Sequence, residues 1–315
     1  MRTIQKSLLA LVVLFGLMFA PLASGAATKS AAKAGSGFPM TLKAANGNFT
    51  FASRPTAIVS LSPTATEILF AIGAGPQVKA VDSYSDYPPQ APITKLSAYT
   101  PNVEAIAKYK PDLVVVSSDT AAFNKQMAAL KIPVLYDPAA STLKQSYAQY
   151  TSLGKATGNV AGAKKELASV KSKIAHILST TPKAPTGTTY YYELTPDYYS
   201  VTSSTFVGQL FSLLGLKSIA DSANGVAASG GYPQLNAEFI LKANPTYIFL
   251  ADTICCKASA KSVGERPGWT ALSAVNNNRV VGLNDDIASR WGPRVTILLG
   301  DVAKALKSKT ASVSS

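Results

Sequence analysis

A fifteen-residue stretch is written twice in this chain, and no other feature restricts its fold as much. Asn102-Val103-Glu104-Ala105-Ile106-Ala107-Lys108-Tyr109-Lys110-Pro111-Asp112-Leu113-Val114-Val115-Val116 returns as Asn236-Ala237-Glu238-Phe239-Ile240-Leu241-Lys242-Ala243-Asn244-Pro245-Thr246-Tyr247-Ile248-Phe249-Leu250, at a gapless offset of 134 residues. Asn, Glu, Ile, Lys and Pro recur at the same places. Each copy reads as a short helix that its Pro cannot continue, followed by an apolar run suited to a buried parallel strand. A tyrosine precedes each copy, Tyr99 in the first and Tyr232 in the second. The chain is therefore expected to hold two similar α/β lobes, each presenting one glutamate and one aromatic at equivalent positions. That pattern describes a symmetric clamp better than a catalytic cleft.

Between the copies lies the clearest helical period. Val160, Ala163, Leu167, Val170, Ile174, Ile177 and Leu178 follow spacings of three and four and form one apolar stripe. At 1.5 Å per residue, about 20 residues span roughly 30 Å, the width of a small domain. One long helix joining two lobes is a stiff connector, and His176 lies off its stripe, toward solvent. The predicted organisation is a signal peptide over 1–26, a flexible leader over 27–37 and an N-terminal α/β lobe over 38–157. The bridging helix over 158–181, a C-terminal α/β lobe over 182–306 and a disordered tail over 307–315 complete it. The fold class is α/β: two lobes with mainly parallel sheets, bridged by a single long α-helix.

Local signals fill in the lobes. Asn46-Gly47 between weakly alternating flanks predicts a hairpin. Residues 57–61 read as a buried strand, and Ser62-Pro63-Thr64-Ala65-Thr66-Glu67 opens a helix with a Ser cap before Pro and an overlapping Thr-x-x-Glu capping box. Apolar runs at 113–116 and 132–136 alternate with helical segments, as in βα units. In the second lobe, strands are expected at 189–194, 246–252 and 279–283, with helices at 205–215 and 294–306.

The N-terminus has the build of an export signal: Arg2 and Lys6, an apolar core from Leu8 to Ala20, and small residues at 23–27. Its apolar core of about 13 residues is short for a membrane span. No cysteine stands near the cleavage region, so the lipid-bearing cysteine of an anchored lipoprotein is not seen. The expected location is exported, in the periplasm or cell envelope. Formal charge is +13, and the lysines are scattered rather than gathered in a stripe with aromatics, which argues against nucleic-acid binding. One histidine and two cysteines leave little for a metal site or a Ser-His-Asp triad. The cysteines, Cys255 and Cys256, are adjacent; a disulfide between neighbours closes a strained eight-membered ring with little loop-closure benefit, so no staple is expected.

Several motifs together resemble one family. Ile58-Val59-Ser60-Leu61-Ser62-Pro63-Thr64-Ala65-Thr66-Glu67-Ile68-Leu69 resembles the first strand and helix of the periplasmic binding proteins for cobalamin and ferric siderophores. Ser83-Tyr84-Ser85-Asp86-Tyr87-Pro88-Pro89-Gln90-Ala91 is similar to the cobalamin-binding members. The two Asn-x-Glu helices, the central helix and Arg290-Trp291-Gly292-Pro293-Arg294 also match, over about residues 38–306. The resemblance implies a cleft between two lobes, a substrate-binding role in an ABC importer, and a permease with its ATPase as partner. It implies that Glu104 and Glu238 dock onto permease arginines, and two equivalent carboxylates do suit a two-fold partner. The alternative for each is a glutamate that decorates a helix N-terminus.

By the same resemblance the ligand site comprises Tyr84, Tyr99, Ser117, Tyr232, Arg290 and Trp291. Aromatic walls with a hydroxyl suit a large corrin or aromatic chelate. Where the cobalamin binders often carry tryptophan this chain has Tyr99, Ser117, Tyr232 and Ile287, which leaves room for a smaller or more polar ligand. Tyr191, Tyr192, Tyr198 and Tyr199 are further wall candidates, about half of which alternation assigns to the core. Arg290 is suited to an anionic ligand group, a helix cap or a pair with Asp286. The expected ligand is a cobalt corrinoid, with a ferric siderophore second and haem third, on a protein with no resident cofactor or metal that acts as a monomer. An enzyme is the rival class; Ser141-x-x-Lys144 fits a short nucleophile motif without its partners, and Gly73-Ala74-Gly75 lacks the third glycine of a dinucleotide loop.

Overall fold

A computed structural model describes residues 37–118 and 120–310 of the chain; the signal-peptide expectation over 1–26 lies outside the described residues. A hairpin comes first, β1 (Met40–Ala44) against β2 (Gly47–Phe51), antiparallel. Its turn does more than reverse the chain. Asn46 donates from Nδ2 to the Val134 carbonyl at 2.9 Å and accepts the Tyr136 N–H at 3.1 Å, so the turn covers an edge strand that would otherwise present unpaired backbone.

The N-terminal lobe is a parallel sheet of β3 (Ile58–Leu61), β4 (Val78–Val81), β5 (Leu113–Val116) and β6 (Val134–Tyr136), ordered β4-β3-β5-β6. The C-terminal lobe repeats the plan with β7 (Thr189–Glu193), β8 (Lys217–Ser218), β9 (Tyr247–Leu250) and β10 (Val280–Gly282), ordered β10-β9-β7-β8 and again all parallel. The central strands of both sheets are buried on both faces. Alternate residues of each strand serve different cores: Val59, Leu61, Val114 and Val116 face a core private to the first lobe, and Tyr191, Ile248 and Leu250 one private to the second. Ile58, Val115, Tyr190, Tyr192 and Phe249 join a core shared by both lobes with the bridging and closing helices. That burial explains the near-continuous apolar runs. It also corrects the expectation for Tyr191 and Tyr192: neither is a cleft wall, because helices cover the face that alternation left for solvent.

The sequence repeat is a structural repeat. Asn102 caps the helix Val103–Ala107, accepting the Ala105 N–H at 2.8 Å; Asn236 caps Ala237–Ala243, accepting the Phe239 N–H at 2.8 Å. Lys110 and Asn244, equivalent in the repeat, both turn left-handed, with φ 48° and 42°, just before the proline. The residue after each proline ties to the first strand of its lobe. Asp112 accepts from the N–H groups of Thr56 and Ala57, and Thr246 accepts the Thr189 N–H at 3.3 Å.

The bridging helix runs Val160–Ser179, with Ala163, Val170 and Ile174 buried and His176 exposed. Its start is pinned to the first lobe by Arg54, which donates to the Thr157 carbonyl at 2.9 Å and to Gln77 and Asn159 side chains. Gly162 fits because a Cβ there would stand 2.0 Å from the Ile72 carbonyl oxygen. The closing helix, Val295–Thr310, packs along the bridging helix and continues through residues 307–310, where a disordered tail was expected. No helix among the described residues is long and apolar enough to cross a membrane.

Candidate functional site

In parallel α/β sheets, ligands meet the loops at the carboxyl ends of the strands. In the first lobe that edge carries Asp82 after β4, whose buried carboxylate accepts the Tyr84 N–H at 2.9 Å and the Ser85 hydroxyl at 2.7 Å. Burial pushes this carboxyl above its ordinary pKa, opposed by those hydrogen bonds. The loop so held projects Tyr84, 61% exposed, into an edge-to-face contact with Tyr99 at 5.9 Å between ring centroids. Tyr99 is itself set by Ser97, whose hydroxyl oxygen accepts the Tyr99 N–H at 3.2 Å. Ser117, half-buried, follows β5 at the same edge.

In the second lobe Tyr232 stands on the loop after Gly230 and Gly231, both with positive φ, and burial raises its phenol above the ordinary value. The Tyr192 hydroxyl, buried beneath, donates to the Ala288 carbonyl at 3.0 Å. Tyr198 does not join the exposed aromatics; it stacks on Trp269. Tyr199 is exposed.

Arg290 and Trp291 are spent on the protein itself. Arg290, 7% exposed, donates to Glu67 at 3.1 Å, Asp86 at 3.2 Å, Asp286 at 2.7 Å and the Tyr84 carbonyl at 2.8 Å. Arg294 adds donors at 2.6 and 3.1 Å to the same Glu67 oxygen and lies 4.3 Å over the Tyr87 ring. Arg290 thus pairs with Asp286 on its own segment, and through Glu67 the network extends across the lobes. The Trp291 indole N–H goes to Gln149 at 2.7 Å.

A second buried cluster sits under the other lobe's edge. Glu193 ends β7 and takes both Arg266 N–H groups, at 2.5 and 2.6 Å, while Arg266 lies 4.6 Å over Trp269. Asp252, just past β9, is buried beside Glu193; burial first, then the neighbouring carboxylate, pushes it up to about 7.

A family model described as "Periplasmic binding protein" matches residues 58–287. The chain belongs to the periplasmic binding protein family. It is 30% identical over 279 residues to an uncharacterized ABC transporter substrate-binding lipoprotein, YvrC, of Bacillus subtilis (strain 168), covering 85% of this chain and 86% of that protein. It is 31% identical over 258 residues to the vitamin B12-binding protein of Vibrio cholerae serotype O1, covering 79% and 88%. Among solved structures it resembles a possible iron-binding (periplasmic solute-binding) protein of Staphylococcus epidermidis ATCC 12228, with TM-score 0.67, 25% identity, and coverage of 80% and 99%.

In this member of the family, Glu104 and Glu238 are exposed on the second residue of their capped helices, one per lobe. Glu104 borders a surface groove of about 700 Å³ between the helices Val103–Ala107 and Ala121–Ala129. Three residues depart from their sequence-based expectations. Glu67 does not complete a capping box; Ser62 caps that helix, accepting the Ala65 N–H at 3.3 Å, and Glu67 turns inward to the arginines. Cys255 and Cys256, expected to stay unpaired, are disulfide-bonded to each other: adjacency keeps the sulfurs in reach, and hydrogen bonds to Asp285 fix the turn. The signal for Glu67 was available in Arg290 and Arg294, two arginines four apart beside a buried helix, which require an acid partner. No cluster of three or more His, Cys, Asp or Glu that could hold a metal occurs among the described residues.

Proposed function

We propose that this protein is the extracytoplasmic substrate-binding component of an ABC importer, that it captures a corrinoid between its lobes, and that it hands the ligand to a membrane permease. Export after removal of residues 1–26 belongs to the same reading. One observation carries it: three exposed tyrosines, Tyr84, Tyr99 and Tyr232, stand on strand-end loops of two lobes built alike. Aromatic faces with hydroxyl edges suit a broad, partly apolar macrocycle. Similarity to a vitamin B12-binding protein over most of both chains supports the corrinoid, and Ser117 at the same edge supplies a small polar contact.

A ferric chelate is the second reading, favoured by the likeness to the staphylococcal protein and by tyrosine and serine where the corrinoid binders often have tryptophan. Glu104 and Glu238 are the docking charges in this scheme, exposed and equivalently mounted, one to each half of a two-fold permease. Titration calorimetry with cobalamin, cobinamide, haem and several ferric siderophores tests the ligand. Saturable heat with a corrinoid is expected; tight siderophore binding with no corrinoid heat at millimolar concentration would overturn the order.

A further inference from the structure

Cys255 and Cys256 stand in the loop that leaves the carboxyl end of β9, the same end from which Asn284 and Asp285 leave β10, the strand paired beside it. For an exposed loop its backbone is firmly tied. The Asp285 carboxylate accepts the Thr253 hydroxyl at 3.1 Å, the Ile254 N–H at 3.0 Å and the Cys255 N–H at 2.8 Å. The Thr253 hydroxyl also reaches the Leu283 carbonyl at 2.6 Å, and the Asp252 carbonyl accepts the N–H groups of Cys256 and Ala258. Lys257 closes the turn at φ 60°. These backbone and hydroxyl groups are thereby consumed at the base, while Lys257 stays exposed. Ile254, 49% exposed, and the two joined sulfurs are left at the tip. Tyr232 stands on the segment that follows β8, in the same all-parallel sheet, so this tip belongs to the same edge of the lobe as the exposed tyrosine.

We propose that the Cys255–Cys256 pair is a redox-reversible contact element of the ligand cleft, whose disulfide form offers an apolar, polarizable plate to a flat ligand and whose dithiol form does not. The inference rests on the binding-protein reading above. Sulfur packs well against π faces, and a ring closed on an anchored turn meets a ligand without losing rotamer freedom. The switching chemistry is ordinary exchange. A dithiol reductant attacks one sulfur as thiolate, breaking the S–S bond and forming a mixed disulfide, and its second thiol then resolves that bond. Two electrons and two protons pass to the protein, which gains two thiols, and the reductant leaves as its own disulfide. Opening the ring frees two side chains, exposes polar S–H groups and introduces a fraction of thiolate charge beside Asp285.

The test has two arms on the full chain. Iodoacetamide labelling of the folded protein, read by mass, should add no group before treatment with a phosphine reductant and two groups after it. Cobinamide and haem are then titrated into oxidised, reduced (reductant removed) and re-oxidised protein, and into the Cys255→Ser/Cys256→Ser variant. The reduced protein and the variant should bind about tenfold more weakly, with re-oxidation restoring affinity and the melting temperature unchanged throughout. Equal affinity of oxidised and reduced protein for a probe that binds overturns the contact role. If neither probe binds any form, the ligand reading fails by itself. The labelling arm still decides this pair, since label before reduction, or label only after unfolding, removes the reversible disulfide.

Discussion

Glu67 and Arg294 belong to different lobes, and their side chains meet at 2.6 Å with only 1% and 11% of each exposed. Arg290 joins the same carboxylate oxygen at 3.1 Å, so one glutamate of the first lobe holds two arginines of the second. Together with the shared apolar core, this contact makes the two lobes one mechanical body. Separating them would strip a buried carboxylate of its counter-charges.

Replacing Glu67 with Gln should therefore be severe. Breaking a buried pair by removing one partner typically costs about 3–5 kcal/mol, because the remaining charges stay desolvated. Asp86 and Asp286 retain part of Arg290, which puts the expected loss near the lower figure. Urea unfolding should show a lower midpoint at unchanged slope. A loss below about 1 kcal/mol, the range of exposed pairs, would mean the cluster is solvated.

Closure on ligand binding should be small. Bending the Val160–Ser179 helix breaks its hydrogen-bond ladder, and opening the lobes breaks the Glu67 contacts. Small-angle scattering should give nearly the same radius of gyration with and without ligand, and a larger ligand-dependent change in the Glu67→Gln variant. A marked contraction of the unaltered protein contradicts the rigid frame.

Stability should fall as pH rises from about 4 to about 7. Asp252 and Asp137 ordinarily titrate at 3.8, and each is pushed up to about 7, chiefly by burial. The folded state then holds protons that the unfolded state has released, and it must ionise buried carboxyls to follow the pH. For Asp137 the effect is at most on the order of 4 kcal/mol. Denaturant midpoints at pH 5 and pH 8 should differ in that direction, and Asp137→Asn or Asp252→Asn should each flatten the difference by gaining stability at pH 8. Equal midpoints at both pH values would show these carboxyls ionised at no cost.

Truncating Tyr84, Tyr99 or Tyr232 to Ala should weaken ligand binding by about 1–2 kcal/mol each, the scale of a substantial contact residue, while the melting temperature stays put. All three are exposed without ligand, so little folding energy is at stake. Tyr84 and Tyr99 touch each other, and their double variant should lose less than the sum of the single losses. Calorimetry on the four proteins checks this, and unaltered affinity in all would move the ligand elsewhere.

Glu104→Ala and Glu238→Ala should leave ligand affinity unchanged and reduce uptake in cells carrying the cognate importer, the double variant most. Stability should change by only about 0.3–1 kcal/mol, as for exposed helix-terminal glutamates. Lost ligand binding in a single variant would assign that residue to the pocket; normal uptake in the double variant would leave both as helix decoration.

What was legible in the sequence was local or periodic. The duplicated Asn-x-Glu stretch, the hairpin at Asn46-Gly47 and the stripe on the bridging helix each carry their own pattern, and the structure follows them. What was lost was non-local. Glu67 satisfied a short-range capping rule, yet its partners lie 223 and 227 residues away. Alternation misjudged Tyr191 and Tyr192 because it assumes one wet face, and their strand has none. Motif position put Tyr84 and Tyr99 together, and their rings do meet, whereas nothing local in the sequence set Glu193, Asp252 and Arg266 together.

The glutamates on the two capped helices ride on lobes that are locked to one another. If closure is as small as expected, their separation is a ruler of constant length, the same on an empty protein as on a loaded one. A membrane partner that measured only this length would greet both forms alike, and empty carriers would compete with full ones for every docking event. On the proposed reading, word of the cargo would have to travel by another route, through the tyrosine rims and the sulfur-tipped loop beside them.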